Sequence, residues 1–167
     1  MSIHTEHPFA AAPGSRDAVR RLRGRLAAPV TLWASGEGRA RVGLTVSSML
    51  VVLGESGRVI GLLDPDSEFA AGRGPRGAIS VLEEPDRLLA ESFAGVGPAP
   101  GGLFAQAPFA QTEWGPVVPG RTWAGVTWES ERTLGWSVEV VGRIETVSLS
   151  DGIIWAHARG RYTTLRD

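Results

Sequence analysis

Apolar positions along this chain shift from a helical period to a strand period within the first fifth of its length. Between residues 16 and 27 they recur at Val19, Leu22 and Leu26, the i, i+3, i+7 spacing of one helical face. Ser15 suits the N-cap of that helix, with Asp17 in its first turn and Pro29 stopping it. Arg20, Arg21, Arg23 and Arg25 fill its other sides, as a solvated face or as an anion-binding one. From Pro29 onward the period moves toward two. Pro29–Ser35 and Arg39–Ser48 flank the turn Gly36-Glu37-Gly38 and predict a hairpin. Arg58–Leu63 and Ala78–Leu82 read as strands, with one or two helical turns over Asp66–Ala71 between them. A second helix is expected from Pro85 through Leu88, Leu89, Ser92 and Phe93, ended by Gly95. Residues 95–120 are irregular and rich in Gly, Pro and Ala. A loop of that length is usually functional or packed onto a partner.

The last third is strongly β. Arg121–Ser130 precedes Trp136–Val147, where Val138, Val140, Gly142 and Ile144 face one way and Ser137, Glu139, Arg143 and Glu145 the other. Ile153–Arg159 follows the turn Ser150-Asp151-Gly152. The count is about seven strands with two short helices, joined mostly by turns, so the fold class is mainly β and antiparallel. A closed or partly closed β-barrel removes the exposed edges that so many strands would otherwise leave. Residues 1–14 read as a flexible tail, broken by Pro8, Pro13 and Gly14, and 15–167 as a single domain.

Composition narrows the chemistry. Hydrophobic residues make up 43% of the 167, enough for a core. There is no Cys, Lys or Asn, and all 17 basic residues are Arg. That excludes thiolate nucleophiles, thiolate metal sites, Schiff bases and a P-loop lysine. His4 and His7 lie in the tail and only His157 is internal, which disfavours a multi-His metal site. A formal net charge of −1 argues against a nucleic-acid partner. No apolar run reaches the roughly 18 residues of a membrane span, and the N-terminus lacks the marks of a secretory signal. A cytoplasmic location is the expectation.

Candidate chemistry is sparse when residues are read alone. Thr45-Val46-Ser47-Ser48 ends a strand with three hydroxyls, which suit either backbone capping or a ligand's polar edge. The six Trp offer stacking faces, for a core, an interface or a planar ligand. No carboxylate pair stands at an interpretable spacing. The Gly-rich runs Gly72–Gly77 and Gly97–Gly102 lack the strand–loop–helix setting of a dinucleotide fold. Arg73 and Arg76 are candidate phosphate contacts or members of a solvated loop.

The order of several segments resembles the flavin reductase-like family, built on the FMN-binding split barrel. Gly43-Leu44-Thr45-Val46-Ser47-Ser48-Met49 is similar to its G-x-T-V-S-S-F segment. Leu63-Asp64-Pro65-Asp66-Ser67 resembles the stretch that holds the flavin's phosphate side. Ile79–Leu82 and Leu89–Gly95 resemble V-N-V-L and L-A-x-x-F-A-G. Gly115–Gly120 is similar to G-x-P-x-L-x-G, and Gly160–Leu165 to the terminal G-R-Y-x-x-L. Together these matches run from about residue 43 to 165.

The resemblance implies a split β-barrel with two or three short helices, and a homodimer holding flavin at the subunit interface. It implies flavin contacts at Thr45, Val46, Ser47 and Ser48. Asp64, Pro65 and Ser67 would lie toward the ribityl phosphate, Phe93, Ala94 and Gly95 near the ring's edge, and Arg161 and Tyr162 beside the ring or a nicotinamide. FMN is the expected cofactor, FAD its alternative, and the activity is that of an oxidoreductase supplying reduced flavin to a partner monooxygenase. The family's Gly-Asp-His is replaced by Gly135-Trp136-Ser137, its S-L-D-P-P run by Val52–Gly57, and its Arg-Phe by Leu103-Phe104. These departures bear on NAD(P)H as co-substrate and leave the flavin groove intact. Two further readings stand beside the oxidoreductase. One is a non-catalytic protein of the same fold holding a flavin, deazaflavin or haem, and the other is a purely structural barrel dimer.

Overall fold

The computed structural model of the protein describes residues 18–165. The expected cap Ser15, Asp17 and the tail 1–14 lie outside the described residues. Helix α1 (Ala18–Arg23) is shorter than the 16–27 span its periodicity predicts. It breaks at Gly24, whose N–H bonds Arg20 O at 3.1 Å, rather than running on to Pro29. Its apolar positions Val19, Leu22 and Leu26 are all exposed, so no face of α1 reaches the core of this chain.

A two-residue strand β1 (Ala28–Pro29) leads into β2 (Thr31–Ser35), which pairs with β3 (Val42–Val46) as the expected hairpin, Thr31 opposite Val46 and Ser35 opposite Val42. Strand β4 (Met49–Val52) pairs with β5 (Arg58–Leu63) in a second hairpin. Helix α2 (Glu68–Gly72) is N-capped by Ser67 and precedes β6 (Arg76–Val81). Helix α3 (Arg87–Phe93) follows the turn Glu84-Pro85-Asp86, where Asp86 Oδ2 accepts from the Glu83 N–H at 2.9 Å. The irregular stretch 95–120 carries the short pair β7 (Ala110–Gln111) and β8 (Pro116–Val117). The long hairpin β9 (Trp123–Leu134) and β10 (Ser137–Ser148) turns at Gly135-Trp136, and β11 (Trp155–Ala158) and β12 (Arg161–Thr164) form the last hairpin.

Seven strands make one sheet in the order β3-β2-β6-β9-β10-β5-β4, every pair antiparallel. Its two edges are β3 and β4, which are consecutive in the chain and joined only by Ser47-Ser48. A flat seven-stranded sheet would hold its edges roughly 29 Å apart, while three Cα steps reach at most about 11 Å. The sheet therefore curls until its edges approach each other, and the fold is a mainly β split barrel.

The barrel interior is filled by Trp33, Val46, Val59, Leu63, Phe69, Ile79, Val126 and Val140. Trp33 stacks on Trp128 with centroids 5.5 Å apart and planes 13° apart, and Phe69 meets both rings edge-on. These rings lie flat on strands because the strands carry Gly where the rings pass. A β-carbon on Gly61 would stand 2.3 Å from Trp33 Cη2, and one on Gly77 2.3 Å from Trp128 Cζ2. A second core packs α3 against β2, with Val30, Leu32, Leu82, Leu89, Phe93 and Trp155 among its members.

Candidate functional site

Ser47 and Ser48 sit where the barrel's two edges meet. They open into a cavity of about 800 Å³ whose wall is apolar, formed by Met49, Leu50, Ile60, Leu62 and Leu134. Arg20 and Arg23 of α1, and the β11–β12 turn His157–Gly160, close its other side. The backbone here is engaged, since Ser48 O accepts from Leu62 N–H at 2.9 Å. The Ser47 and Ser48 hydroxyls make no hydrogen bond among the described residues. Thr45, two residues earlier, differs: its hydroxyl donates to Ala90 O at 2.7 Å and ties β3 to α3. Val46 points the other way, into the barrel core, and its carbonyl accepts from the Thr31 hydroxyl at 2.6 Å. Of the hydroxyl-bearing strand end, then, two side chains face the cavity and two build the barrel.

The remaining expected residues fall into three places. Asp64 and Pro65 line a smaller cavity of about 290 Å³ with Asp66 and the tip of the β9–β10 hairpin, including Trp136. Asp64 Oδ1 accepts from Asp66 N–H at 2.9 Å, and the Ser67 hydroxyl donates to Asp64 O at 2.7 Å while accepting from Ala70 N–H at 3.1 Å. Phe93 is buried against Phe104 and Phe109, with Gly43 pressed on its ring. Ala94 and Gly95 end α3, Gly95 with φ 74°. The Phe93 ring meets β3 at Gly43, about 13 Å from Ser47 at strand spacing. Arg161 is exposed, and Tyr162 stacks on Trp155 at 4.2 Å with planes 17° apart. Burial pushes the Tyr162 phenol up, and nearby Glu91 adds to the shift. Neither Arg161 nor Tyr162 lines the seam cavity, although the turn just before them does.

Periodicity could not reveal the apolar wall contributed by β4, since Met49-Leu50-Val51-Val52 does not alternate. Its one legible signal is a four-residue apolar run directly after the hydroxyls. Arg159 is a second such residue. It takes φ 52°, alone among the described residues other than glycine in having positive φ, in a two-residue turn with Gly160 at φ 75°.

No protein-family model matches the chain, and no curated protein matches it in sequence. Solved structures do. The NADH:FAD oxidoreductase SgcE6 of Streptomyces globisporus C-1027 superposes with a TM-score of 0.80 at 21% identity, covering 94% of this chain and 96% of that one. Flavin reductase PheA2 gives 0.78 at 17% identity over 91% of this chain and 100% of that one. BorF, the flavin reductase component of a bacterial two-component tryptophan halogenase, gives 0.77 at 21% over 89% and 99%. The fold is that of the flavin reductases.

The seam cavity has the size of a small-molecule cleft, with an apolar wall and a small number of polar groups. The segment Gly135-Trp136-Ser137, which stands in place of Gly-Asp-His, forms the tip of the β9–β10 hairpin. Gly135 takes φ 59° at the first central position of that turn, where a β-carbon is strained. Trp136 is 66% exposed there, beside Asp64 and Pro65. Among the described residues, no helix is long and apolar enough to cross a membrane.

Proposed function

We propose that this chain is a flavin-binding oxidoreductase of the flavin reductase type, holding its flavin in the seam cavity and delivering reduced flavin to a separate monooxygenase. The observation that carries the reading is the pair Ser47 and Ser48. Their hydroxyls are without hydrogen bonds among the described residues, at the mouth of an apolar cleft, on this fold. That donor set fits a flavin, which has a planar apolar ring system, a polar edge and an anionic tail. Ser47 and Ser48 bind the polar edge, each able to donate and accept. Met49, Leu50, Ile60 and Leu62 cover the ring and keep water from it. Arginine side chains, here the sole cations other than His, hold the phosphate. A bound flavin supplies hydride acceptance and delivery, and the protein supplies binding, orientation and exclusion of competing reactions.

FMN is the cofactor this reading takes first and FAD its alternative, with NAD(P)H as donor. The hairpin tip bears on the donor, because an indole and a hydroxyl stand where an imidazole would. Asp64 and Pro65 stand beside that tip, and with Ser67 they are taken, as the resemblance implies, to lie toward the ribityl phosphate.

The reading includes a homodimer. Leu50 and Val51 of β4 are 69% and 59% exposed, and Leu53 just beyond is 89% exposed. An uncovered apolar edge strand beside a ligand cleft is a surface that soluble proteins cover with a partner. BorF is a reductase component of a two-component system, and the same division of labour is proposed here.

Titrating the purified protein with FMN tests the core claim. A shifted and quenched flavin spectrum, saturating at one flavin per chain, is expected. Flavin that stays entirely free overturns it. Stopped-flow mixing of the flavin-loaded protein with NADH and with NADPH tests the donor, and bleaching of the flavin absorbance is expected with at least one of them.

A further inference from the structure

The arginines of this protein are not spread evenly with respect to their partners. Arg58, Arg73, Arg76, Arg87, Arg121, Arg132 and Arg143 each pair with a carboxylate. Arg21, Arg23, Arg25, Arg39, Arg41, Arg159 and Arg161 make no ion pair among the described residues. Three of those seven, Arg21, Arg25 and Arg159, gather in one place with Arg20. A cavity of about 590 Å³ is lined by Arg20, Arg21, Gly24, Arg25, Arg159 and Gly160, and no carboxylate lines it. Arg20, Gly24, Arg159 and Gly160 also line the seam cavity, so the two spaces adjoin at these residues.

Two features show that this cluster is built. The β11–β12 turn is fastened to the end of α1, because Arg159 N–H donates to Gly24 O at 2.9 Å. The turn also holds Arg159 at φ 52°, a conformation that suits Gly or Asn and penalises a long side chain. Strain of this kind persists where the surrounding structure overdetermines it, and it clusters at ligand sites. The Arg21, Arg25 and Arg159 guanidinium groups carry like charge, which an arriving anion offsets. Their forks match the paired oxygens of a phosphate.

We propose that the arginine cavity binds the diphosphate of a dinucleotide whose planar end occupies the seam cavity, a claim that rests on the flavin reading above. The ligand is then FAD in preference to FMN, or a nicotinamide dinucleotide entering by the same route. A monophosphate reaches the shared rim at Arg20 and Arg159. A diphosphate extends to Arg21 and Arg25.

Calorimetric titration of the full chain with riboflavin, FMN and FAD tests this, repeated on an Arg21→Gln/Arg25→Gln double variant and on Arg159→Gly. FAD is expected to bind at least about tenfold tighter than FMN, the ratio that one charge-assisted hydrogen bond supplies. Added salt weakens FAD and leaves riboflavin unchanged. The double variant loses the FAD advantage and keeps riboflavin affinity, whereas Arg159→Gly weakens FMN and FAD together. Arg159→Gly keeps or raises the melting temperature, which separates lost binding from lost structure. If FAD equals FMN, NADH is compared with reduced nicotinamide mononucleotide. An arginine-dependent preference for NADH upholds the diphosphate site with the nicotinamide dinucleotide as its source. FAD equal to FMN, together with NADH equal to the mononucleotide, overturns the proposal. If no flavin binds at all, the flavin reading fails on its own, and ADP decides the arginine site. ADP binding lost in the double variant upholds the site, and absence of ADP binding overturns it.

Discussion

Gly61 shows how single positions set this barrel. Trp33 is fully buried, stacks on Trp128 and donates from Nε1 to the Thr31 hydroxyl at 3.1 Å, so its ring cannot retreat. Gly61→Ala places a methyl 2.3 Å from that ring. A loss of about 1–3 kcal/mol is expected from such overpacking. It reads out as a lower urea midpoint with an unchanged slope. The hydroxyls of 45–48 separate by the same logic. Thr45→Val removes the bond to Ala90 O and costs about 1 kcal/mol of stability. Ser47→Ala/Ser48→Ala changes stability by no more than about 0.5 kcal/mol. It weakens flavin binding about tenfold. Paired melting and flavin titration of the two variants check both halves. The sequence marks these four residues as one group because their hydroxyls are adjacent. It cannot say which side chains point into the barrel, since that depends on where β3 stops, and β3 stops at Val46.

At the scale of elements, the β9–β10 hairpin was the most legible part of the chain because its alternation runs long. The helical period of α1 was real but overstated in length, since Gly24 ends the helix inside the periodic window. Strands β4 and β12 were invisible to periodicity, being four residues each, and β4 is uniformly apolar. The long hairpin also carries an acid-sensitive joint. Glu145 lies at an irregularity in β10, where Ile144 pairs with Val126 and Thr146 with Gly125. Trp114 Nε1 donates to Glu145 Oε2 at 2.9 Å. That bond holds the carboxyl below its ordinary value of 4.5, with Thr127 and Arg143 adding to it. A depressed folded pKa gives stability that is present above the unfolded value and lost as pH falls through the folded one. Thermal melts on the acid side of about pH 4.5 are expected to show falling stability, and Glu145→Gln to flatten part of that slope. At the start of α3, Arg121 bonds Asp86 through Nε at 2.7 Å and Nη2 at 3.0 Å, which raises the guanidinium further above its ordinary value. Its own titration removes that contribution only as pH rises through the folded value, far above neutrality.

Across the whole molecule, the barrel leaves one edge apolar and open, and the dimer proposal stands or falls there. Leu50→Asp/Leu53→Asp puts two charges on that edge, and sedimentation is expected to find a monomer where the native chain sediments as a dimer. The two-residue join between the barrel's edges has a consequence for how the molecule assembles. The β2–β3, β4–β5 and β9–β10 hairpins pair residues near in sequence and can form early. The β5–β10 and β6–β9 pairings join distant stretches and close slowly. The cleft at Ser47-Ser48 exists only after those distant pairings are complete. Competence to capture ligand is therefore the last property the folding chain acquires. In refolding from urea, recovery of flavin quenching should lag behind recovery of the far-ultraviolet β signal. Flavin should slow unfolding without speeding refolding, because the closed seam it stabilises is absent from the transition state.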